Sequence, residues 1–378
     1  MDLAERALSS LSDFALQSSK LDVLLSTMDI QSARGTITME KKYAFWNNKG
    51  GTGKTSLAFQ AVTRYAEQHP KERILAVDVC PQANLSELLL GGLNNKGSDK
   101  LLGQQGLTPR CSIGGYFQLR LPSPYQAPNF SAEDFITTPS DFNKAVPANI
   151  DLVCGDPLLE LQSNAVNTLA NNQIPGSNPW ISVVDWINDF LAKVEDDYDT
   201  VFLDLNPSFS LYTQIALAAS NRVVLPVMAD DSSRRAIQNA FSLVYGLKLP
   251  SEIYSAYAFA TKLQAAGRRL PQVHLIVKNR LTQYMGAASA YAAVLKSIEA
   301  DVQKLLKSNP GIFTFKDTEA GFVEIRDFQT TGVVAFAKGL PFSRVQVGKQ
   351  SINSHRVQVK KEYLDNARDA IDALVAKL

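Results

Sequence analysis

Between residues 45 and 56 the chain reads FWNNKGGTGKTS, a stretch whose residue types suit the binding of a phosphorylated ligand. Gly50, Gly51 and Gly53 free the backbone to curl so that successive N–H groups face phosphate oxygens. Lys54 would reach the β- and γ-phosphates, and Thr55 would offer its hydroxyl to Mg2+. The pattern departs from the usual Gly, four residues, Gly-Lys-Ser/Thr, because Asn48 stands at the first glycine position. A second cation, Lys49, lies inside the loop.

Such a loop works only between a strand and a helix. KYAFWN reads as a short strand, KTSLAFQAVTRYAEQ as a helix, and RILAVDV as a second, buried strand. The helix start near Lys54 adds the favourable field of its N-terminus. NIDLVCG, TVFLDL, NRVVLPV and QVHLIVKN extend the set to at least six strands separated by helical stretches. The expected fold is therefore α/β, a mostly parallel doubly wound sheet flanked by helices. GAASAYAAVLKSIEADVQKLLKS and KKEYLDNARDAIDALVAKL read as the closing helices. Residues 91–150 are rich in Gly, Pro, Asn and Ser and read as a loop-rich insertion with one or two short helices. Residues 1–40 read as an N-terminal helical arm and linker, with Leu3, Ala7, Leu8, Leu11, Phe14 and Ala15 at helical spacing, packing on its own body or on a partner subunit. Residues 41–378 then form one domain.

Composition narrows the function. The chain has 378 residues, with 38 Lys and Arg against 37 Asp and Glu, which argues against a protein basic over its whole surface and leaves room for a local basic patch. Cys80, Cys111 and Cys154 lack C-x-x-C spacing, so neither a zinc site nor a redox pair is expected, and a reduced, cytoplasmic setting is. The first residues carry acids among apolar ones, unlike a signal peptide, and no apolar run approaches the roughly 20 residues that span a bilayer. A soluble, intracellular protein is expected.

NNKGGTGKTS resembles the deviant phosphate loop of the ParA/MinD family, in which the early lysine is the signature. LAVDVCPQANLS is similar to that family's second motif and FLDLNPSFS to its third, in the family's order. The resemblance covers most of residues 40–340 and is closest to the ParA, or partition, branch. It implies an ATPase that binds ATP and Mg2+ with Lys49, Gly50, Gly51, Thr52, Gly53, Lys54, Thr55 and Ser56 around the phosphates. Thr55, Asp78 and Asp204 would serve the metal, Asp204 by holding a magnesium-bound water. Two subunits would face each other across two ATP molecules as a homodimer, with Lys54 acting in cis and Lys49 reaching the partner's phosphate in trans, much as an arginine finger does. LIVKNRL resembles the strand whose terminal asparagine contacts adenine; Asn279 is that residue or a loop asparagine capping a helix.

One position departs from the family. Cys80 stands where a second acid usually orients the attacking water, and a neutral thiol does this poorly. Either hydrolysis is slow and awaits a partner or another residue, or Cys80 is a small buried filler. The resemblance further implies nonspecific DNA binding, a ParB-like cargo adaptor that stimulates hydrolysis, and a nucleoid-associated place in the cytoplasm. Arg234, Arg235, Arg268, Arg269, Lys278, Arg280, Lys360 and Lys361 are the candidate DNA contacts. Membrane attachment of the MinD kind fits less well, since the C-terminal helix carries acids along its length and has only Tyr363 as an aromatic anchor. A nucleotide switch with little intrinsic hydrolysis, acting as a regulatory scaffold, is the other alternative. Too few residues precede the loop for a complete helix-turn-helix module.

Overall fold

The computed structural model describes residues 41–281 and 288–378. The N-terminal arm expected over residues 1–40 lies outside them.

Seven strands form one parallel sheet: β1 (Lys41–Phe45), β2 (Ile74–Val79), β3 (Ile150–Val153), β4 (Thr200–Leu205), β5 (Arg222–Val227), β6 (Gln272–Leu281) and β7 (Phe322–Arg326). Their order is β3-β2-β4-β1-β5-β6-β7, with every neighbouring pair parallel. The chain runs from β1 through β2 to β3, returns to place β4 between β2 and β1, and then runs the other way through β5 to β7, so a switch point falls between β4 and β1, where a ligand crevice opens beyond the strand ends. The principal helices are α1 (Lys54–Gln68), α2 (Asn84–Leu90), α3 (Gly97–Gln105), α4 (Ile113–Arg120), α5 (Leu158–Ala170), α6 (Leu211–Ala219), α7 (Asp231–Tyr245), α8 (Phe259–Ala265), α9 (Ala288–Ser308), α10 (Gln329–Lys338) and α11 (Lys361–Val375).

Strand alternation sorts the core into two layers. Val201, Leu203 and Leu205 of β4 join one cluster with Phe117, Trp186, Ile215 and Phe241. Phe202 faces the other way, into a cluster with Leu57, Phe59 and Val62 of α1 and Leu364 and Ile371 of α11. Asp204 shares the parity of Phe202, and Asp78 shares that of Ile74 and Ala76, which also join the α1 layer. Both acids therefore project toward α1.

All six anticipated strands are present. The seventh, β7, was not anticipated, nor was the antiparallel hairpin of β8 (Gly348–Ile352) and β9 (His355–Val359). Within residues 91–150 lie α3 and α4, and Tyr116, Phe117 and Phe135 of this segment enter the core beside Phe190 and Trp186. Aromatic contacts supply the apolar burial there that a Gly- and Pro-rich segment lacks in periodic form.

Candidate functional site

The loop from Asn47 to Gly53 joins β1 to α1. Gly51 and Gly53 sit at φ +75° and +82°, left-handed values that a side chain resists. Gly53 has a second reason to lack a side chain, since a Cβ there would lie 2.3 Å from Asn279 Nδ2. Open space lies beside Gly50 and Gly51, where no atom approaches within 4 Å of a built Cβ, which leaves room for a ligand.

The residue before the missing glycine fixes the loop entrance. Asn47 is fully buried; its amide donates to the Pro226 carbonyl at 2.7 Å and its carbonyl oxygen accepts from Lys49 N at 3.0 Å. The loop is thereby tied to β5. On its other side Asn279 Nδ2 donates to the Thr52 carbonyl at 2.8 Å, while Arg280 N donates to Asn279 Oδ1. Asn279 thus braces the loop from the end of β6, a role not foreseen in the sequence.

The two lysines are placed differently. Lys54 is buried and donates to the Lys49 carbonyl at 3.2 Å; burial lowers its pKa, against the raising influence of Asp204 and Cys80. Lys49 instead folds onto its own chain. Its ammonium donates to both oxygens of Asp230, at 2.7 and 2.6 Å, and to Ser233 Oγ at 3.2 Å. Asp230 also caps α7 by accepting from Ser233 N. Burial pushes the Asp230 carboxyl up, but the hydrogen bonds from Lys49, Ser232 and Ser233 together outweigh it and hold it at about 2. Neither Asp230 nor Asn47 was singled out in the sequence; an aspartate three residues before a serine at a helix start was the available signal for the former.

Asp78 and Asp204 are register partners on adjacent strands. Asp78 is satisfied by the protein: its carboxylate accepts from Ser86 N and Oγ at 2.9 and 2.8 Å and from Cys80 N at 3.2 Å. Asp204 is not. It is buried, and neither carboxylate oxygen meets a hydrogen-bond partner. Burial first, then the Asp78 charge, push its carboxyl up to about 8, outweighing the nearby Thr55 hydroxyl and Lys54 ammonium. Burial likewise takes Asp78 to about 6 despite its hydrogen bonds. A buried carboxylate left without donors beside a loop threonine suits a hydrated divalent cation, whose water would supply them. Cys80, packed between these charges, has its thiol pushed up to about 12 by burial and then by Asp78 and Asp204, so it is neutral.

The candidate DNA contacts do not form one patch. Lys278 drops out as a surface cation: its side chain is 7% exposed and ion-paired to Glu299 and Glu324, because it lies on an inner strand between α9 and β7. Arg268 pairs with Asp185 at 2.5 Å, and it and Arg269 precede β6, at the end of the sheet away from the loop. Arg280 lies near the end of β6, at the loop end, and is exposed, and Arg234 and Arg235 ride on α7. Lys360, between β9 and α11, and Lys361, the first residue of α11, are exposed. A groove of about 250 Å3 between α1, α11 and residues 341–343 has its own charges paired, Arg64 with Asp372 and Glu67, and is separate from the loop.

A glycine loop between a parallel strand and a helix, a buried lysine at the helix start and two acids on the neighbouring strand ends define a phosphate-loop nucleotide-binding protein. The family model described as "AAA domain" matches residues 40–249. The chain is 29% identical over 192 residues to the chromosome-partitioning ATPase Soj of Treponema pallidum, covering 51% of this chain and 58% of that protein. It is 27% identical over 219 residues to the cell division protein PomZ of Myxococcus xanthus, covering 55% and 52%. A virulence-plasmid ParA family protein of Chlamydia psittaci is 26% identical over 190 residues, covering 49% and 56%. The matches thus span little more than half the length of these relatives. Among solved structures, an McdA–ATP complex from Cyanothece shares the fold at a TM-score of 0.57 and 12% identity, over 89% of this chain and 97% of that one. The chain belongs to the ParA/MinD family of phosphate-loop ATPases, on its ParA branch.

Proposed function

We propose that the chain is a ParA-like ATPase that closes around ATP and Mg2+ as a homodimer, adheres to DNA without sequence preference, and positions or segregates a plasmid, chromosomal or other cargo. The observation that carries this reading is the combination of the open glycine loop with an extra lysine, Lys49, within reach of its rim, and the donor-less Asp204 beneath it.

In this reading the loop glycines, Thr52 and Ser56 line the phosphates, and Lys54 holds them in cis. Thr55 would ligate the metal, with Asp78 and Asp204 holding its waters. Bound Mg2+ supplies neutralisation of the charge on the β- and γ-phosphates. Ser86 keeps Asp78 aimed, and Asn47 and Asn279 hold the loop rigid from both sides. Lys49 leaves Asp230 to meet the partner's phosphate, so assembly becomes nucleotide-dependent. Cys80, as a neutral thiol, orients water poorly, which makes basal hydrolysis slow and leaves room for stimulation by a ParB-like adaptor.

Light scattering on ATP-loaded, hydrolysis-blocked protein tests the dimer; single chains under those conditions refute it. ATP turnover measured with and without DNA and the product of the neighbouring gene tests the rest. Turnover raised by both supports partition, whereas turnover indifferent to both favours a scaffold switch. Among the described residues no helix is long and apolar enough to cross a membrane.

A further inference from the structure

From residue 328 to residue 361 the chain contains six Lys or Arg and no Asp or Glu, so the remainder carries a net negative charge in a chain of net charge +1. The β8–β9 hairpin lies within this stretch. Its register pairs Lys349 with Gln358 and Ser351 with Arg356. Alternation places these four side chains on one face, and all four are exposed. Ile352 and Val357 point the other way and pack on the core layer that includes α10 and α11. The hairpin is therefore a ribbon fastened by its apolar face, with an outer face made only of cations and hydrogen-bonding groups.

Among the described residues the side chains of Lys349, Arg356 and Lys361 are neither hydrogen-bonded nor ion-paired, and the Lys360 side chain meets only the Tyr363 ring. This contrasts with Lys278, Arg268 and Arg64, each held by a carboxylate. Unpaired cations on one face fit a partner that brings its own dense negative charge.

The ribbon also stands at the right end of the molecule. On α11, Arg368 donates to the carbonyls of Phe342 and Ser343, and Phe342 N donates to Gln60 of α1; further along, Asp372 pairs with Arg64 and Gln68. The two helices thus descend side by side in the same direction. Lys361, at the start of α11, lies level with the start of α1, where the phosphate loop ends.

We propose that the β8–β9 hairpin is a β-ribbon that lies against duplex DNA, with Lys349 and Arg356, supported by Lys360 and Lys361, neutralising phosphates. A two-stranded ribbon is of the size the major groove admits. Ser351 and Gln358 add hydrogen bonds to the backbone. A membrane surface fits less well, because the outer face carries no apolar or aromatic anchor. The inference rests on the reading of the chain as a DNA-adhering ATPase, and it places the contact on an element that reading did not include.

The test is fluorescence anisotropy of a labelled duplex titrated with ATP-loaded full-length chain at several salt concentrations. Lys349→Glu/Arg356→Glu is compared with Lys71→Glu/Lys144→Glu, an equal change of charge just before β2 and β3. Lys349→Gln/Arg356→Gln is the milder version. The ribbon variants are expected to weaken binding by at least about tenfold and to flatten the salt dependence by about one unit of log–log slope per lost contact. The control pair stays near wild type, and ATP-dependent dimerisation is unchanged in all. If wild type binds DNA and the ribbon variants match it in affinity and slope, the ribbon assignment is overturned while the DNA reading stands. If wild type binds no DNA, or binds only anionic vesicles, the underlying reading fails and the ribbon with it.

Discussion

Two groups of cations in this molecule are kept in opposite ways. Lys49 and Lys54 are engaged by the protein, one by the Asp230 carboxylate and one by a backbone carbonyl within a buried site. Lys349 and Arg356 on the hairpin are left solvated. Lys54, meant for one defined anion, gains from being fixed in place beforehand, since order imposed by the fold need not be supplied on binding, whereas Lys49 is held on a carboxylate of its own chain. A cation meant for a long polyanion gains nothing from such fixing, because counterion release acts wherever phosphates pass.

Substitutions can break this contrast. Lys54→Ala should have the largest effect, lowering ATP affinity by about 100-fold in calorimetry, as expected for a lost charge-assisted contact in a buried site. Lys49→Ala should leave ATP binding by single chains within about threefold yet abolish the ATP-dependent dimer in light scattering, the reverse of the ribbon variants. Gly53→Ala should destabilise the fold by about 1–3 kcal/mol in denaturant unfolding, since it combines a left-handed backbone with a clash on Asn279. Cys80→Asp should change ATP turnover, raising it by about tenfold, while ATP affinity stays within about twofold; identical turnover would remove this position from catalysis.

A further expected effect is a pH dependence. The Asp204 carboxyl titrates near 8 in the fold against an ordinary value of 3.8, so the folded chain binds this proton more tightly than the unfolded one. Stability that this group allows below about pH 4 is lost as the pH rises toward 8. Asp204→Asn should therefore melt higher than wild type at pH 8 without nucleotide, with the gap closing toward pH 4. A gap that is the same at both pH values would mean that the carboxylate is not destabilised.

Much of the loop end was legible because its chemistry sits in contiguous motifs at strand ends. The structure brings the glycines, Lys54, Asp78 and Asp204, which the family resemblance had grouped, to one end of the sheet, and the six buried strands announce themselves as apolar runs. What was not legible depends on contacts between distant segments. Asn279 lies more than two hundred residues from the Thr52 carbonyl it holds, and Lys278 is buried only because Glu299 and Glu324 arrive from other elements. The hairpin escaped for another reason: with Lys349, Ser351, Arg356 and Gln358 outward and only Ile352, Val357 and Val359 inward, its apolar signal is too thin to stand out from a loop. The insertion's aromatics carry no regular period, so their role in the core was invisible in one dimension.

The Lys49–Asp230 pair has a consequence for how firmly two such chains could hold together. To cross to a neighbour, Lys49 must first give up a carboxylate that grips it with both oxygens, so assembly trades one ionic partner for another and gains only the difference. In the proposed dimer a bond made by exchange would be easily undone: once the phosphate departed, Asp230 would stand ready to take the ammonium back, and the clasp would open without any further input.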